Sequence, residues 1–378
     1  MKRPIRVLFV LRPADGGMLH HVATLLKGLD PERVDIRIAC PPDVPGMPVL
    51  PFGALKPTRL DIRGELSPRR DWLAARAVRE LAAREQVDLV HAHGFKAGFI
   101  CSLHCRRGAP GHKLVYTIHN QIRRQKNPLV DAASLVLARM TTRRADHIIT
   151  VSAALQNEAA SLLRAPAAKL TCIYNGIDVA ALAVADDAAT TRASFGFSAE
   201  DVLVGSAARL IPQKGIQYLI RAAAILKMQM PRILYLIIGD GPNRDRLQAQ
   251  AEAAGLRDTM IFTGYREDAV RIMSALDVFT LPTLEEGFSL TTMEAMALGK
   301  SVVVSAVGGL PELVTGETGV LVPPGDEHAL AEALALLLNN PARRQELGGK
   351  ARERVATCFS VRNLLQEHYR LYEELCAE

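Results

Sequence analysis

Twelve short apolar runs limit what this chain can fold into. Ile5–Leu11, Val34–Cys40, Val87–His93, Leu114–His119, His147–Val151 and Leu170–Tyr174 occupy the first half, and Val202–Ala207, Leu234–Ile238, Met260–Thr263, Val278–Leu281, Val302–Val304 and Val320–Val322 the second. Their hydrophobicity is continuous rather than alternating, so each strand must be covered on both faces. With helical patterns between them, the runs predict an α/β chain built on doubly wound parallel sheets. The pattern loosens in the Ala-, Asp- and Thr-rich stretch Ala180–Glu200, which reads as a link. The expected organisation is two lobes, residues 1–183 and 184–360, with an amphipathic helix at 361–378 packing back on the first. Tandem sheets of this kind imply a central cleft, with ligands at the carboxyl ends of the strands.

Composition narrows the class. A chain of 378 residues, 49% hydrophobic, can bury two ordinary cores. The formal charge of +6 is unevenly spread: residues 1–180 carry 27 Lys and Arg against 15 Asp and Glu, and residues 181–378 carry 19 against 25. The basic first half suits an anionic partner, such as a phosphorylated acceptor or an anionic membrane touched from one side. Nucleic acid is not the expected partner, because one Trp and 5% aromatic residues leave little for base stacking. Six cysteines are too sparse for a disulfide scaffold, and Cys101-x3-Cys105 lacks the second ligand pair a zinc site needs. No apolar run reaches the roughly 18 residues of a spanning helix. The start Met1-Lys-Arg-Pro-Ile-Arg has the charge of a signal peptide but too short an apolar core. The expected location is cytoplasmic, with peripheral contact on the inner face of a membrane kept open.

The residues that carry chemistry stand at strand ends. Val278–Leu281 runs into Pro282-Thr-Leu-Glu-Glu-Gly-Phe-Ser-Leu-Thr-Thr-Met-Glu-Ala-Met-Ala-Leu-Gly-Lys300, a loop and then a helix stopped by Gly299. Were Glu286 at the helix mouth and Glu294 two turns inside, about 12 Å of helix would part them. That is wide for a glycosidase carboxylate pair, usually about 5 to 9.5 Å apart, and suits two hydroxyl-bearing parts of one ligand. The amides of Gly287, Phe288 and Ser289 fall at the helix start, where oxygen acceptors bind. In the same lobe Arg209 and Lys214 follow the first strand, suited to a diphosphate as a flat fork and a point charge. Two cations and two acids together fit a nucleotide sugar. Gly16-Gly17 turns the first strand into a helix and allows close backbone approach to a phosphate, although a tight turn alone also explains it. His20 and His21 face opposite sides of that helix. His119 ends a strand where functional groups gather, while His91 and His93 share one face and read as packing or supporting groups. Gly239-Asp-Gly-Pro242 is not G-x-G-x-x-G, and the P-loop pattern is absent, which excludes a nicotinamide dehydrogenase or P-loop kinase as the leading reading. Tyr265-Arg266 follows another strand and would border the nucleotide base.

Seven segments in order resemble the retaining glycosyltransferases of family 4, which have the two-lobed GT-B fold. They are Gly-Gly-Met-Leu-His-His-Val (16–22), Tyr-Thr-Ile-His-Asn (116–120), Thr-Val-Ser-Ala-Ala (150–154), Tyr-Asn-Gly-Ile-Asp (174–178), Arg-Leu-Ile-Pro-Gln-Lys-Gly (209–215), Gly-Asp-Gly-Pro (239–242) and Glu-Gly-Phe-Ser-Leu-Thr-Thr-Met-Glu-Ala-Met-Ala (286–297). The resemblance implies two Rossmann-like lobes, the first on the acceptor side and the second binding a nucleotide sugar. It implies that Arg209 and Lys214 hold the donor diphosphate and assist its departure. Glu286 and the backbone of Gly287, Phe288, Ser289 and Leu290 would hold the sugar, and Glu294 the ribose hydroxyls. Gly16 and Gly17 would approach the phosphate, Gly239, Tyr265 and Arg266 would border the nucleotide, and His119 would lie beside the transferred sugar. Transfer would run from a nucleoside-diphosphate sugar to a sugar, lipid-linked or small-molecule acceptor, with retention and without cofactor or metal, in cell-envelope, polysaccharide or glycolipid synthesis. Ser289 stands where the family commonly has Gly, and Thr291-Thr292 replaces a more aliphatic pair, so the donor sugar is not carried over. The basic stretch Gln121–Asn127 with Leu129–Met140 is a candidate lipid contact. The competing readings are a nucleotide-sugar epimerase of the same architecture and a non-catalytic nucleotide-sugar sensor.

Overall fold

The computed structural model of the 378-residue chain describes residues 3–13, 16–42, 56–104, 112–122, 127–183, 188–198, 200–230 and 232–377. Arg123, Arg124 and Lys126 of the basic stretch, Cys105, and residues 184–187 and 199 of the link lie outside the described residues. Contacts within the chain group Met1–Gly176 with Val361–Glu378, and Ile177–Ser360 separately.

The first unit is a seven-stranded parallel sheet of β1 (Ile5–Leu11), β2 (Val34–Cys40), β3 (Thr58–Arg59), β4 (Leu89–His93), β5 (Lys113–Ile118), β6 (His147–Thr150) and β7 (Leu170–Cys172), in the order β3-β2-β1-β4-β5-β6-β7. Its helices are α1 (Gly17–Gly28), α2 (Pro68–Arg84), α3 (Phe95–His104), α4 (Pro128–Arg144) and α5 (Ala153–Leu162). The continuous apolar pattern is explained by two-sided burial. Along β1, Leu8 and Val10 join the core formed with α2 to α5, whereas Val7, Phe9 and Leu11 join the opposite core, which contains α1 and the final helix of the chain. Asn127 and Ser152 cap α4 and α5 by accepting from backbone N–H groups of their first turns.

The second unit repeats the plan. It contains α6 (Val179–Ala183), α7 (Ala188–Ser194), β8 (Val202–Ala207), α8 (Ile216–Lys227), β9 (Ile233–Ile238), α9 (Arg244–Ala253), β10 (Met260–Gly264), α10 (Ala269–Ser274), β11 (Val278–Leu281), α11 (Leu290–Ala297), β12 (Ser301–Ser305), α12 (Leu310–Leu313), β13 (Gly319–Val322), α13 (Glu327–Leu338) and α14 (Pro341–Cys358). Its parallel sheet has the order β10-β9-β8-β11-β12-β13. The last helix, α15 (Val361–Ala377), belongs to the first unit. Its apolar stripe Leu364, Leu371, Tyr372 and Leu375 is buried there, and Tyr369 accepts a hydrogen bond from the Asp30 N–H at 2.6 Å.

In both sheets the strand order reverses once, between β1 and β4 and between β8 and β11. Loops leaving neighbouring strands diverge at such a point, and the crevice they leave is where ligands of open α/β sheets bind. No helix among the described residues is long and apolar enough to cross a membrane.

Candidate active site

In the second unit the reversal point is occupied by Lys214 and Glu286. After β8 the chain makes a 3-10 turn, Pro212–Lys214, closed by Gly215 in the left-handed region at φ 70°. A Cβ on Gly215 would lie 1.7 Å from the Pro282 carbonyl oxygen, so only glycine lets this turn sit against the loop after β11. The contact is stitched by two bonds to the Gln213 carbonyl, from the Leu284 N–H at 2.7 Å and the Thr283 hydroxyl at 2.9 Å. It brings Lys214 Nζ to 2.7 Å from Glu286 Oε2, across 72 residues of sequence. Glu286 is nearly buried and Lys214 partly so.

Helix α11 begins later than expected from sequence. Ser289 is its N-cap, accepting from the Thr292 N–H at 3.2 Å, and Leu290 is its first residue. Glu286 therefore lies in the loop before the cap, and Glu294 is one turn inside rather than two. The helical-rise estimate of their separation does not apply to residues 286–289. Phe288 turns inward against Phe359, ring centres 5.2 Å apart, and the Gly287 carbonyl accepts from the Gly309 N–H at 3.1 Å. These contacts fix the loop while leaving the helix start as an anion-binding end. Gly299 at φ 71° closes α11, with Lys300 N–H on the Ala295 carbonyl and Gly299 N–H on that of Met296. Glu294 is half-buried; its carboxyl makes no hydrogen bond or ion pair among the described residues and is pushed up to about 7 by burial.

Arg209 is exposed just after β8. The neighbouring segment is held against the Gly239–Gly241 loop: the Leu210 N–H donates to the Asp240 carbonyl at 2.8 Å, and a Cβ on Gly239 would come within 2.1 Å of the Ala208 carbonyl oxygen. The Gly239 N–H itself is spent on the Gly264 carbonyl at 2.9 Å. Gly239 thus serves close backbone packing, and its amide is not free for a phosphate. Tyr265 is 70% exposed, and Arg266 is held by Asp268 in a two-pronged pair at 2.7 Å.

The first unit places its candidates at its own reversal point. Gly16 caps α1 at φ 67° and, with Gly17, is exposed; no atom stands within 4 Å of a Cβ at Gly16. After β4, Gly94 at φ 81° leaves room for Arg12, whose Nε would lie 2.6 Å from a Cβ there. His119, just past β5, is 8% exposed. Of the adjacent pair on α1, His20 is exposed and His21 buried.

Around His119 lies a group that sequence alone does not reveal: five buried histidines, His21, His91, His93, His119 and His368, from four segments. His91 and His93 stack at 4.2 Å, and His93 Nδ1 meets His119 Nε2 at 3.2 Å. His91 is bound at both nitrogens, to the Tyr372 and Thr117 hydroxyls at 2.6 Å each. His21 Nδ1 lies 2.9 Å from Asn175 Oδ1, and His368 Nδ1 lies 2.8 Å from the Leu364 carbonyl oxygen. Burial holds all five uncharged: His21 falls to about 3 and His368 to about 4, and His91, His93 and His119 lie well below the usual imidazole range. Neighbouring imidazoles lower His91, His93 and His119 further, and Arg12 also lowers His119. His21, His93 and His119 bring one ring nitrogen each within 4.8 Å of one another, the set among the described residues that could hold a metal ion. The only hint in the sequence was that His91 and His93 share a strand face.

Comparison with known proteins agrees with this architecture. The family model for glycosyl transferases group 1 matches residues 187–354, and that for Glycosyltransferase Family 4 matches residues 15–181. D-inositol 3-phosphate glycosyltransferase of Corynebacterium glutamicum is 32% identical over 296 residues, covering 72% of this chain and 70% of its own. The 2-deoxystreptamine N-acetyl-D-glucosaminyltransferase of Streptomyces fradiae is 29% identical over 385 residues, covering 95% and 87%. Among solved structures, Anabaena Alr3699/HepE in complex with UDP superposes with a TM-score of 0.83 at 22% identity, over 98% of this chain and 100% of that one. The two α/β units and these matches define a GT-B glycosyltransferase, and the chain belongs to the glycosyl transferases group 1 family.

Proposed function

We propose that the chain transfers a sugar from a nucleoside-diphosphate sugar to an acceptor hydroxyl with retention of anomeric configuration. The observation that carries this reading is the Lys214–Glu286 pair at the β8/β11 reversal point, followed in the next helix by an acid, Glu294, whose carboxyl has no partner among the described residues. Lys214 and Arg209 neutralise the departing diphosphate, where charge develops in the transition state. Glu286 orients Lys214 and, with the start of α11, receives sugar hydroxyls. Glu294 accepts from the ribose hydroxyls. By the resemblance to the family, Gly16 and Gly17 would approach the phosphates and His119 the transferred sugar. The acceptor hydroxyl attacks from the face the diphosphate leaves and passes its proton to a phosphate oxygen. In this reading protein cations do the work a metal would otherwise do.

Support for a nucleotide-sugar donor comes from Anabaena Alr3699/HepE, which has been solved with UDP, with UDP and glucose, and with UDP-glucose. The relatives are named for small hydroxylated acceptors, D-inositol 3-phosphate and 2-deoxystreptamine, which favours a polyol over a lipid-linked acceptor. No observation favours an epimerase or a sensor. The test is release of nucleoside diphosphate from a panel of UDP-, GDP- and ADP-sugars in the presence of polyol acceptors, with product anomers assigned by NMR. An α-linked product from an α-linked donor is expected. A β-linked product, or an epimerised nucleotide sugar without acceptor, overturns the reading.

A further inference from the structure

The buried histidines carry a statement about proton placement. A neutral imidazole has one N–H, and in His21 and His368 the Nδ1 partner is a carbonyl oxygen, which only accepts. Both rings therefore hold their proton on Nδ1 and leave Nε2 as a bare lone pair, and both Nε2 atoms are buried without a partner among the described residues. His93 repeats the pattern: Nδ1 is engaged, with His119, and Nε2 is buried and unpartnered. An orphaned buried N–H is rarer and costlier than an under-used acceptor, so the His93 proton also belongs on Nδ1. It then donates to His119 Nε2, which must be a lone pair, and the His119 proton is left on Nδ1. That Nδ1 makes no hydrogen bond among the described residues and is not sealed from solvent as His93 Nε2 is.

We propose that His93 is a positioning residue: its Nδ1–H holds His119 as the neutral Nδ1–H tautomer, so that His119 presents a hydrogen-bond donor to an oxygen of the transferred sugar. The ring of His93 is itself locked, stacked on His91 at 4.2 Å and set edge-on against Phe9 at 5.0 Å.

The role of His119 toward the sugar rests on the proposed transferase reading, whereas the tautomer does not. Long-range 1H–15N spectra of the whole chain labelled at histidine separate protonated from bare ring nitrogens. Expected for the wild type are a protonated Nδ1 and a bare Nε2 at His119; the opposite pattern overturns the proposal. Three variants then test its consequence. H93N keeps an N–H donor near the Nδ1 position, H93L removes it, and H93D puts an acceptor there, which draws the His119 proton to Nε2. H93L and H93D should lose about tenfold in kcat/KM for the sugar nucleotide, the scale of one hydrogen bond with its partner left unmet, with binding of the bare nucleotide unchanged. H93N should restore most of that loss. Should H93D reverse the tautomer while sugar-dependent binding and turnover stay at wild-type levels, His93 has no positioning role. Should the wild type neither bind nor turn over any sugar nucleotide, the transferase reading fails, and the spectra still decide the His93–His119 assignment.

Discussion

Lowering the pH from 8 to 6 should weaken nucleotide-sugar binding about tenfold, with Glu294 as the cause. In the free protein this carboxyl is half-buried, has no partner among the described residues, and sits at about 7. Ribose hydroxyls donate to a carboxylate, so the ligand selects the ionised form and returns its pKa toward the ordinary value of about 4.3. The sign follows: affinity is full above about pH 7 and is lost as protonation of the free protein competes. Relative to the alkaline limit the loss is about twofold at pH 7 and about elevenfold at pH 6, or about 1.4 kcal/mol. Calorimetry should use the intact sugar nucleotide, since a free nucleoside diphosphate has a terminal phosphate that itself titrates near pH 6. The histidines around His119 do not confuse the window, because burial keeps them uncharged throughout it. Glu294→Gln should bind more weakly but with a flat pH profile. A flat profile in the wild type, or an unchanged slope in Glu294→Gln, would rule out Glu294 as the group that sets the pH dependence.

Three further outcomes are expected. Lys214→Ala and Arg209→Ala should each lower kcat by about 10²–10³, the scale for removing one preorganised donor from developing charge, as steady-state turnover would show. Gly215→Ala should abolish nucleotide-sugar binding in calorimetry, because φ 70° and the Pro282 carbonyl oxygen exclude a side chain and the turn that places Lys214 must open; full binding would contradict the assignment. His21 and His368 take up protons only near pH 3 and 4 when folded, but near 6.5 when unfolded. Stability should therefore be lost as pH falls below 6.5, by roughly 2–3 kcal/mol between pH 7 and 5.5 from this pair, with His91, His93 and His119 adding to the loss. Urea unfolding at the two values measures it, and His368→Leu should reduce the drop.

The strands were legible because two-sided burial writes itself as unbroken apolar runs. Ile5–Leu11, Val34–Cys40, Val202–Ala207 and Val278–Leu281 carry the same bounds in sequence and structure. Thr58–Arg59 was not legible, since a two-residue edge strand needs no such run. At β4 the apolar pattern overran by two residues: Val87 is buried, but Asp88 accepts from the Arg6 N–H and Arg3 before the strand begins. The candidate cations and acids could be picked out singly by their places at strand ends. Their pairing could not, because Lys214 meets Glu286 through a backbone contact between Gly215 and Pro282 that no local pattern encodes. The histidine group was hidden for the same reason. Its members come from α1, β4, the end of β5 and α15, and only the sheet order and the return of the last helix assemble them.

The most direct test of the central claim is thermal stabilisation by UDP, GDP, ADP and their sugar conjugates, run on the wild type, Lys214→Ala and Glu294→Ala. One nucleotide series should raise the melting temperature of the wild type, and both substitutions should remove the rise. A rise that survives both substitutions would place the ligand elsewhere, and no rise with any of them would contradict a nucleotide-sugar site in this chain.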